Sequence, residues 1–108
     1  MLEGEDQLKL LNLQHNQIQR IQNLDPLRNL IFLDFYDNQI ERITGISNLI
    51  NLRVLMLGKN KITKIENLDE LIYLDVLDLH ANEVLNQICS LFIMFTTLNF
   101  RLYQDYKN

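Results

Sequence analysis

Two histidines, one cysteine and a few carboxylates are the residues of this chain whose types could do chemistry: His15, His80, Cys89, Asp37 and Asp78. Imidazoles beside carboxylates can hold a metal ion or relay protons, and a thiolate can act as a nucleophile. Spacing decides against both. In the repeat described below, His15 and His80 lie three units apart, roughly 14–15 Å at ~4.8 Å per strand. Metal ligands must sit within ~2 Å of one ion, so the two histidines read as solvated side chains of a strand face. Cys89 lies in the apolar run Ile88-Cys89-Ser90-Leu91-Phe92-Ile93-Met94-Phe95, where a thiol is buried and inert. A single cysteine also excludes an internal disulfide and fits a reducing compartment. The sequence holds no Gly-x-Gly-x-x-Gly, Walker loop, Gly-x-Ser-x-Gly or His-Glu-x-x-His. The expectation is a protein that is not an enzyme and takes no metal or cofactor.

The residue type that does recur is asparagine. Asn16, Asn38, Asn60 and Asn82 follow one another at steps of 22, and the apolar residues keep the same step. Leu8, Leu30, Leu52 and Leu74 open the units. Leu11, Leu33, Leu55 and Leu77 come next, then Leu13, Phe35, Leu57 and Leu79. After each asparagine stand Ile18, Ile40, Ile62 and Val84. Three units continue in step with Ile21, Leu24, Leu27; Ile43, Ile46, Leu49; and Ile65, Leu68, Leu71. A fixed period of this length marks a repeat architecture.

Within each unit the period changes. Leu-x-Leu alternation predicts a short half-buried strand. The second half keeps a spacing of three, which matches 3₁₀ geometry, where side chains at i and i+3 eclipse. Each unit therefore reads as a strand, a turn and a 3₁₀-like or irregular return, with no room for a full helix. One unit cannot bury its own apolar face, so neighbours must stack. The asparagine, both donor and acceptor, can satisfy backbone groups at the bend after the strand and forms a ladder through the interior. The fold class is an α/β repeat solenoid with a short parallel sheet on its concave face. Its divisions are a lead-in over 1–7, repeats at 8–29, 30–51, 52–73 and 74–84 onward, and a tail at 85–108.

Leu-x-x-Leu-x-Leu-x-x-Asn-x-Ile at this period resembles the leucine-rich repeat, in the short subtype of the nuclear regulatory subunit of protein phosphatase-1. The likeness runs from Leu8 to Val84. The segments Leu11-Asn12-Leu13-Gln14-His15-Asn16, Tyr36-Asp37-Asn38-Gln39-Ile40 and Leu74-Asp75-Val76-Leu77-Asp78-Leu79-His80 are similar to leucine-rich-repeat subunits of the neuronal tubulin polyglutamylase complex. That resemblance implies a non-catalytic scaffold in a cytoplasmic, microtubule-associated complex. The phosphatase likeness implies an alternative, a regulatory chain gripping a catalytic subunit. A third reading is a truncated form with little function of its own.

Composition narrows the partners. The chain has 108 residues, enough for one domain, and a net charge of −4, which speaks against a nucleic-acid surface. Its longest apolar segment, Ile88 to Phe100, spans 13 residues, against about 20 needed to cross a bilayer. The acidic start, Met1-Leu2-Glu3-Gly4-Glu5-Asp6, lacks a secretory core. A cytoplasmic chain with a protein partner, and neither membrane nor nucleic acid, is the expectation.

Because side chains alternate along a strand, four outward columns can be read: Leu10, Phe32, Val54, Val76; Asn12, Asp34, Met56, Asp78; Gln14, Tyr36, Gly58, His80; and His15, Asp37, Lys59, Ala81. Phe32, Tyr36 and Met56 offer adaptable apolar contact, with Asp34, Asp37, Lys59, Asp78 and His80 as a polar rim. Gly58 is expected to leave a dip beside Tyr36 for a partner's side chain. Arg20, Arg28, Arg42, Lys61 and Lys64, mixed with Glu41, Glu66, Asp69 and Glu70, read as a solvated rear surface.

After Val84 the pattern slips. One inserted residue restores Leu85, Ile88, Leu91 and Met94 at spacing three, gives Phe100 and Leu102 as a degenerate strand, and puts Asp105 at the asparagine position. The competing reading is an apolar tail that caps the stack. Neither end carries an obvious cap, which leads to the expectation of a shortened form of a longer repeat protein.

Overall fold

The computed structural model describes residues 7–84, together with the backbone of residues 101–103. Five strands of three residues form one sheet: β1 Leu10–Asn12, β2 Phe32–Asp34, β3 Val54–Met56, β4 Val76–Asp78 and β5 Arg101–Tyr103. They lie in chain order, each parallel to the next. The register follows the repeat, with Leu11 opposite Leu33, Leu33 opposite Leu55 and Leu55 opposite Leu77. This is a leucine-rich-repeat solenoid.

Backbone pairing outlasts the strands. Leu13, Phe35 and Leu57 donate N–H bonds to Asp34, Met56 and Asp78 at 2.8 Å each. His15, Asp37 and Lys59 donate in turn to Tyr36, Gly58 and His80 at 2.9–3.0 Å. The returns are locked too: Gln39, Lys61 and Glu83 donate to Ile18, Ile40 and Ile62 of the preceding unit, all at 2.9 Å.

The core consists of the repeating apolar columns. Leu33, Leu55, Leu77, Ile40, Ile62, Ile43, Ile46, Leu49, Leu52, Leu68 and Leu71 are all 0 % exposed. Each such side chain stabilises the stack by roughly 1.5–3 kcal/mol. Over residues 21–30 burial recurs at every third position, and the backbone explains the spacing. Leu27 and Leu30 donate to carbonyls three residues back, and so do Leu49, Leu52, Leu71 and Leu74, at 2.9–3.1 Å. These are successive i→i+3 turns three residues apart, so one residue in three faces inward. Leu11, Leu13 and Ile18 of the first unit pack against this core only in part.

Each of the first three units turns through the left-handed backbone region twice, and the fourth does so once within the described residues. His15, Asp37, Lys59 and Ala81, just before the ladder asparagines, have φ of 57–62°. Asn23, Gly45 and Asn67 occupy a second position with φ of 62–72°. At Gly45 a Cβ would lie 2.5 Å from the Ile21 carbonyl oxygen. In the next unit Asn67 Nδ2 donates to the corresponding carbonyl, Ile43, at 2.7 Å.

The tail reading needs a correction. β5 joins the sheet with Leu77 opposite Leu102, a step of 25 residues and not the 23 that one inserted residue gives. Three extra residues separate this strand from the repeat, which moves the asparagine-equivalent position beyond Asp105. The proposed run Leu85, Ile88, Leu91, Met94, with Cys89, Phe100 and Asp105, lies outside the described residues.

Candidate functional site

Where the strands end, every unit builds the same bend from a different set of side chains. Asn12, Asp34 and Asp78 each accept the backbone N–H of the residue two further on, at 2.9–3.0 Å. Such Asx turns break the strand without leaving the amide unpaired. The third unit has Met56 at this position and Gly58 two residues on. The left-handed residue follows, and then the ladder asparagine.

The ladder ties each bend to the one before it. Asn38 Nδ2 donates to Phe35 O and Tyr36 O of its own turn and to Leu13 O of the preceding unit, while its Oδ1 accepts Ile18 N–H at 3.0 Å. Asn60 repeats this with Leu57, Gly58, Phe35 and Ile40 at 3.0–3.1 Å. Asn82 repeats it with Leu79, His80, Leu57 and Ile62 at 2.8–3.2 Å. Asn16 bonds only Leu13 O and Gln14 O of its own turn. Asn38 and Asn60 are buried.

Two of the expected rim residues are not on the rim. Asp34 is 4 % exposed and Asp78 is 1 % exposed, because their carboxylates are spent inside the bend. Asp34 accepts Tyr36 N–H and the Gln14 side-chain amide. Asp78 Oδ1 accepts His80 N–H at 3.0 Å and contacts His80 Nδ1 at 2.6 Å. Buried charge needs such partners. These two aspartates shape the surface from beneath and leave partner contact to others.

The dip expected at Gly58 is also already filled. A Cβ there would meet His80 Cε1 at 2.6 Å and Nδ1 at 2.7 Å. The imidazole of the fourth unit thus leans across the third and stacks on Tyr36 of the second, with centroids 5.6 Å apart and planes 24° apart. From the other side His15 meets the Tyr36 ring edge-on, at 5.7 Å and 88°. The two histidines are therefore joined through one tyrosine ring. Among the described residues, no three or more His, Cys, Asp or Glu side chains gather as a metal site would require.

What stays open to solvent is a shelf along the carboxyl ends of the strands. Tyr36, Asp37, Met56 and His80 are half-buried there and Lys59 is exposed, while half-buried Phe32 stands at the amino end of β2. Asp37 Oδ2 lies 2.8 Å from His15 Nδ1, and that hydrogen bond, helped by Lys59 and the imidazole, holds its carboxyl below the usual range. The first outward column adds Val54 and Val76, both half-buried. Rigid aromatic surface, a flexible methionine and a fringe of opposite charges suit recognition of a protein surface. Glycine at 58 is the single sequence signal for the His80–Tyr36 stack. On the rear, Arg42 and Glu66 pair bidentately at 2.9 and 3.1 Å, which lowers the Glu66 pKa.

No family model matches the chain. Human leucine-rich repeat-containing protein 49 is 58 % identical over 36 residues, a match spanning 33 % of this chain and 5 % of that protein. An internalin (inlF) from Listeria monocytogenes superposes with a TM-score of 0.70 at 35 % identity, covering 74 % of this chain and 24 % of its own. Internalin C2 from the same species gives 0.75 at 29 % identity, over 91 % of this chain and 42 % of its own. A leucine-rich-repeat protein from Leptospira interrogans gives 0.78 at 24 % identity, over 89 % and 25 %, which speaks to fold alone. The chain thus spans less than half the length of each of these relatives. With its 22-residue unit, in-register parallel sheet and asparagine ladder, it has the leucine-rich-repeat fold.

Proposed function

We propose that the chain is a non-catalytic protein-interaction module whose partner docks on the sheet face at the carboxyl ends of β2 to β4. The observation that carries this reading is the Tyr36 shelf. Its ring is held between His15 and His80 at 5.6–5.7 Å, so little side-chain entropy is left to lose on binding. Met56 beside it can adapt, and Asp37 and Lys59 supply orienting charge. The finer reading follows from the sequence likeness to the leucine-rich-repeat subunits of tubulin polyglutamylase: a cytoplasmic scaffold in a microtubule-associated, tubulin-modifying complex.

The test is capture by the immobilised chain of purified polyglutamylase subunits and tubulin, with the phosphatase-1 catalytic chain in parallel. The Tyr36→Ala, Met56→Ala double variant should weaken capture at least tenfold, as loss of a central anchor does, with an unchanged circular dichroism spectrum. Retention of the phosphatase chain alone would select the regulatory reading. Undiminished capture by the folded variant would move the interface off this face.

A further inference from the structure

The opposite edge of the sheet, where the chain runs into the strands, carries a groove unrelated to the Tyr36 shelf. It has a volume of about 360 Å³ and is lined by Lys9, Asn29, Ile31, Asn51, Arg53 and Tyr73. No acidic side chain lines it. In a chain of net charge −4, a groove with two cations and no anion is a local inversion of sign. Among the described residues neither the Lys9 ammonium nor the Arg53 guanidinium has a hydrogen-bonding or ionic partner.

The floor is rigid. The Lys9 carbonyl accepts the N–H groups of Ile31 and Phe32 at 2.8 and 3.0 Å, and the Ile31 carbonyl those of Arg53 and Val54 at 2.9 and 3.1 Å. The Arg53 carbonyl accepts Asp75 and Val76 at 2.8 and 3.0 Å. Lys9, Ile31, Arg53 and Asp75 are thus fixed in one column on successive units, Asp75 lying past the lining of the groove, with the Lys9 and Arg53 backbones ~9.5 Å apart at ~4.8 Å per strand. Their side chains are long enough to converge over Ile31 on one carboxylate, or to take one each. Asn51 is pinned by its Nδ2 bond to Arg28 O at 3.0 Å.

Tyr73 lines the groove with the cations, and exposed Ile50 and Ile72 immediately precede the lining residues Asn51 and Tyr73 in the chain. Ile72 is 63 % exposed, Tyr73 56 % and Ile50 48 %. Ile50 and Ile72 hold the same position in neighbouring units, and Tyr73 adjoins Ile72. Exposed apolar side chains of this size gathered beside unpaired charge mark a contact surface.

We propose that this groove binds an extended acidic-aliphatic peptide segment of a partner protein. Carboxylates meet Lys9 and Arg53, and the apolar side chains between them lie on Ile50, Ile72 and Tyr73. The charge pattern excludes a basic segment, and the apolar shelf gives an anion without a side chain nothing to cover it. This site is separate from the sheet-face interface, and the chain can engage one surface with either.

The test is a titration of the isotope-labelled 108-residue chain, followed by amide resonances, with an acetylated and amidated peptide alternating glutamate and leucine. Peptides alternating glutamine with leucine and lysine with leucine serve as controls. The glutamate peptide should shift the amides of Ile31, Arg53 and Tyr73, and bind at least tenfold more tightly than the glutamine peptide. The Lys9→Glu, Arg53→Glu double variant, altered only at exposed side chains, should lose at least tenfold in affinity. Tyr36→Ala should leave binding unchanged, which separates this site from the sheet face. Equal affinity for the glutamate and glutamine peptides, no binding of either, or shifts confined to the sheet face would overturn the proposal.

Discussion

Replacing Asn60 by alanine probes the ladder where all four side-chain hydrogen bonds are buried. The side chain makes four hydrogen bonds: Nδ2 to Phe35 O, Leu57 O and Gly58 O, and Oδ1 from Ile40 N–H. The three carbonyls each keep another donor. Asn38 Nδ2 remains on Phe35 O, Asn82 Nδ2 on Leu57 O, and Asp37 N–H on Gly58 O. The loss therefore concentrates on Ile40 N–H, which sits in a residue with 0 % exposure. An orphaned buried amide costs about 1–3 kcal/mol, and the weakened acceptors add about 1–2. A total of about 3 kcal/mol is a large share of the 5–15 typical of a whole domain. With a urea slope of about 1.5 kcal/mol/M for a chain of this size, the midpoint should fall by about 2 M. Asn16→Ala removes two bonds to carbonyls of its own exposed turn and should shift the midpoint by less than about 0.5 M on the same slope. Asn60→Asp should do no better than alanine, because it aims a buried anion at three carbonyl oxygens. Urea melts of the three variants decide. Equal losses for Asn16→Ala and Asn60→Ala would refute the claim that the asparagines act by joining one unit to the next.

The two left-handed positions respond oppositely to added and removed side chains. Gly45→Ala combines a φ of 72° with a 2.5 Å approach to Ile21 O and should cost at least ~1–2 kcal/mol, whereas Ala81→Gly, at φ 57°, should be neutral or stabilise by up to ~1 kcal/mol; thermal melts compare them. Gly58→Ala displaces the far end of the flexible His80 side chain, so stability should change by less than ~1 kcal/mol. The Tyr36 ring resonances should nevertheless move as the stack opens. Arg42→Ala should return the Glu66 pKa toward its ordinary value, because the guanidinium hydrogen bond is the main cause of its depression. The pair stabilises the fold above the ordinary carboxylate pKa and loses that contribution as pH falls through the lowered one, so the variant's stability should decline less on acidification. Carboxyl resonances followed against pH report both effects.

The core and the strand register are legible in the sequence because one chemical type fills each column in every unit. Leu33, Leu55 and Leu77 cannot be anything but inward once the step of 22 is seen. The site is harder to read, since its columns mix types. Asp34 and Asp78 stand at outward positions and look like rim charge. They are drawn inward because an aspartate at a strand end can cap the amide two residues on, a local bond that alternation does not encode. Gly58 announces a gap, but only the structure places the His80 ring in it, two units from the tyrosine it stacks on. The left-handed residues before the ladder are His15, Asp37, Lys59 and Ala81. With no glycine among them, no backbone signal is visible in the sequence. The tail escapes for a related reason: one inserted residue aligns Ile88, Leu91, Met94, Phe100 and Leu102 with the repeat, so the apolar pattern favours a step of 23 over the step of 25 that pairs Leu77 with Leu102.

The central claim is that the sheet face at the carboxyl ends of the strands is where a protein partner docks. A photoreactive benzoylphenylalanine at position 56, beside Tyr36, tests it directly against the same group at position 64, on the exposed return. Irradiation in the presence of the polyglutamylase subunits should yield a covalent adduct from position 56 and none from position 64. An adduct from position 64 alone, or equal adducts from both, would contradict an interface on the sheet face.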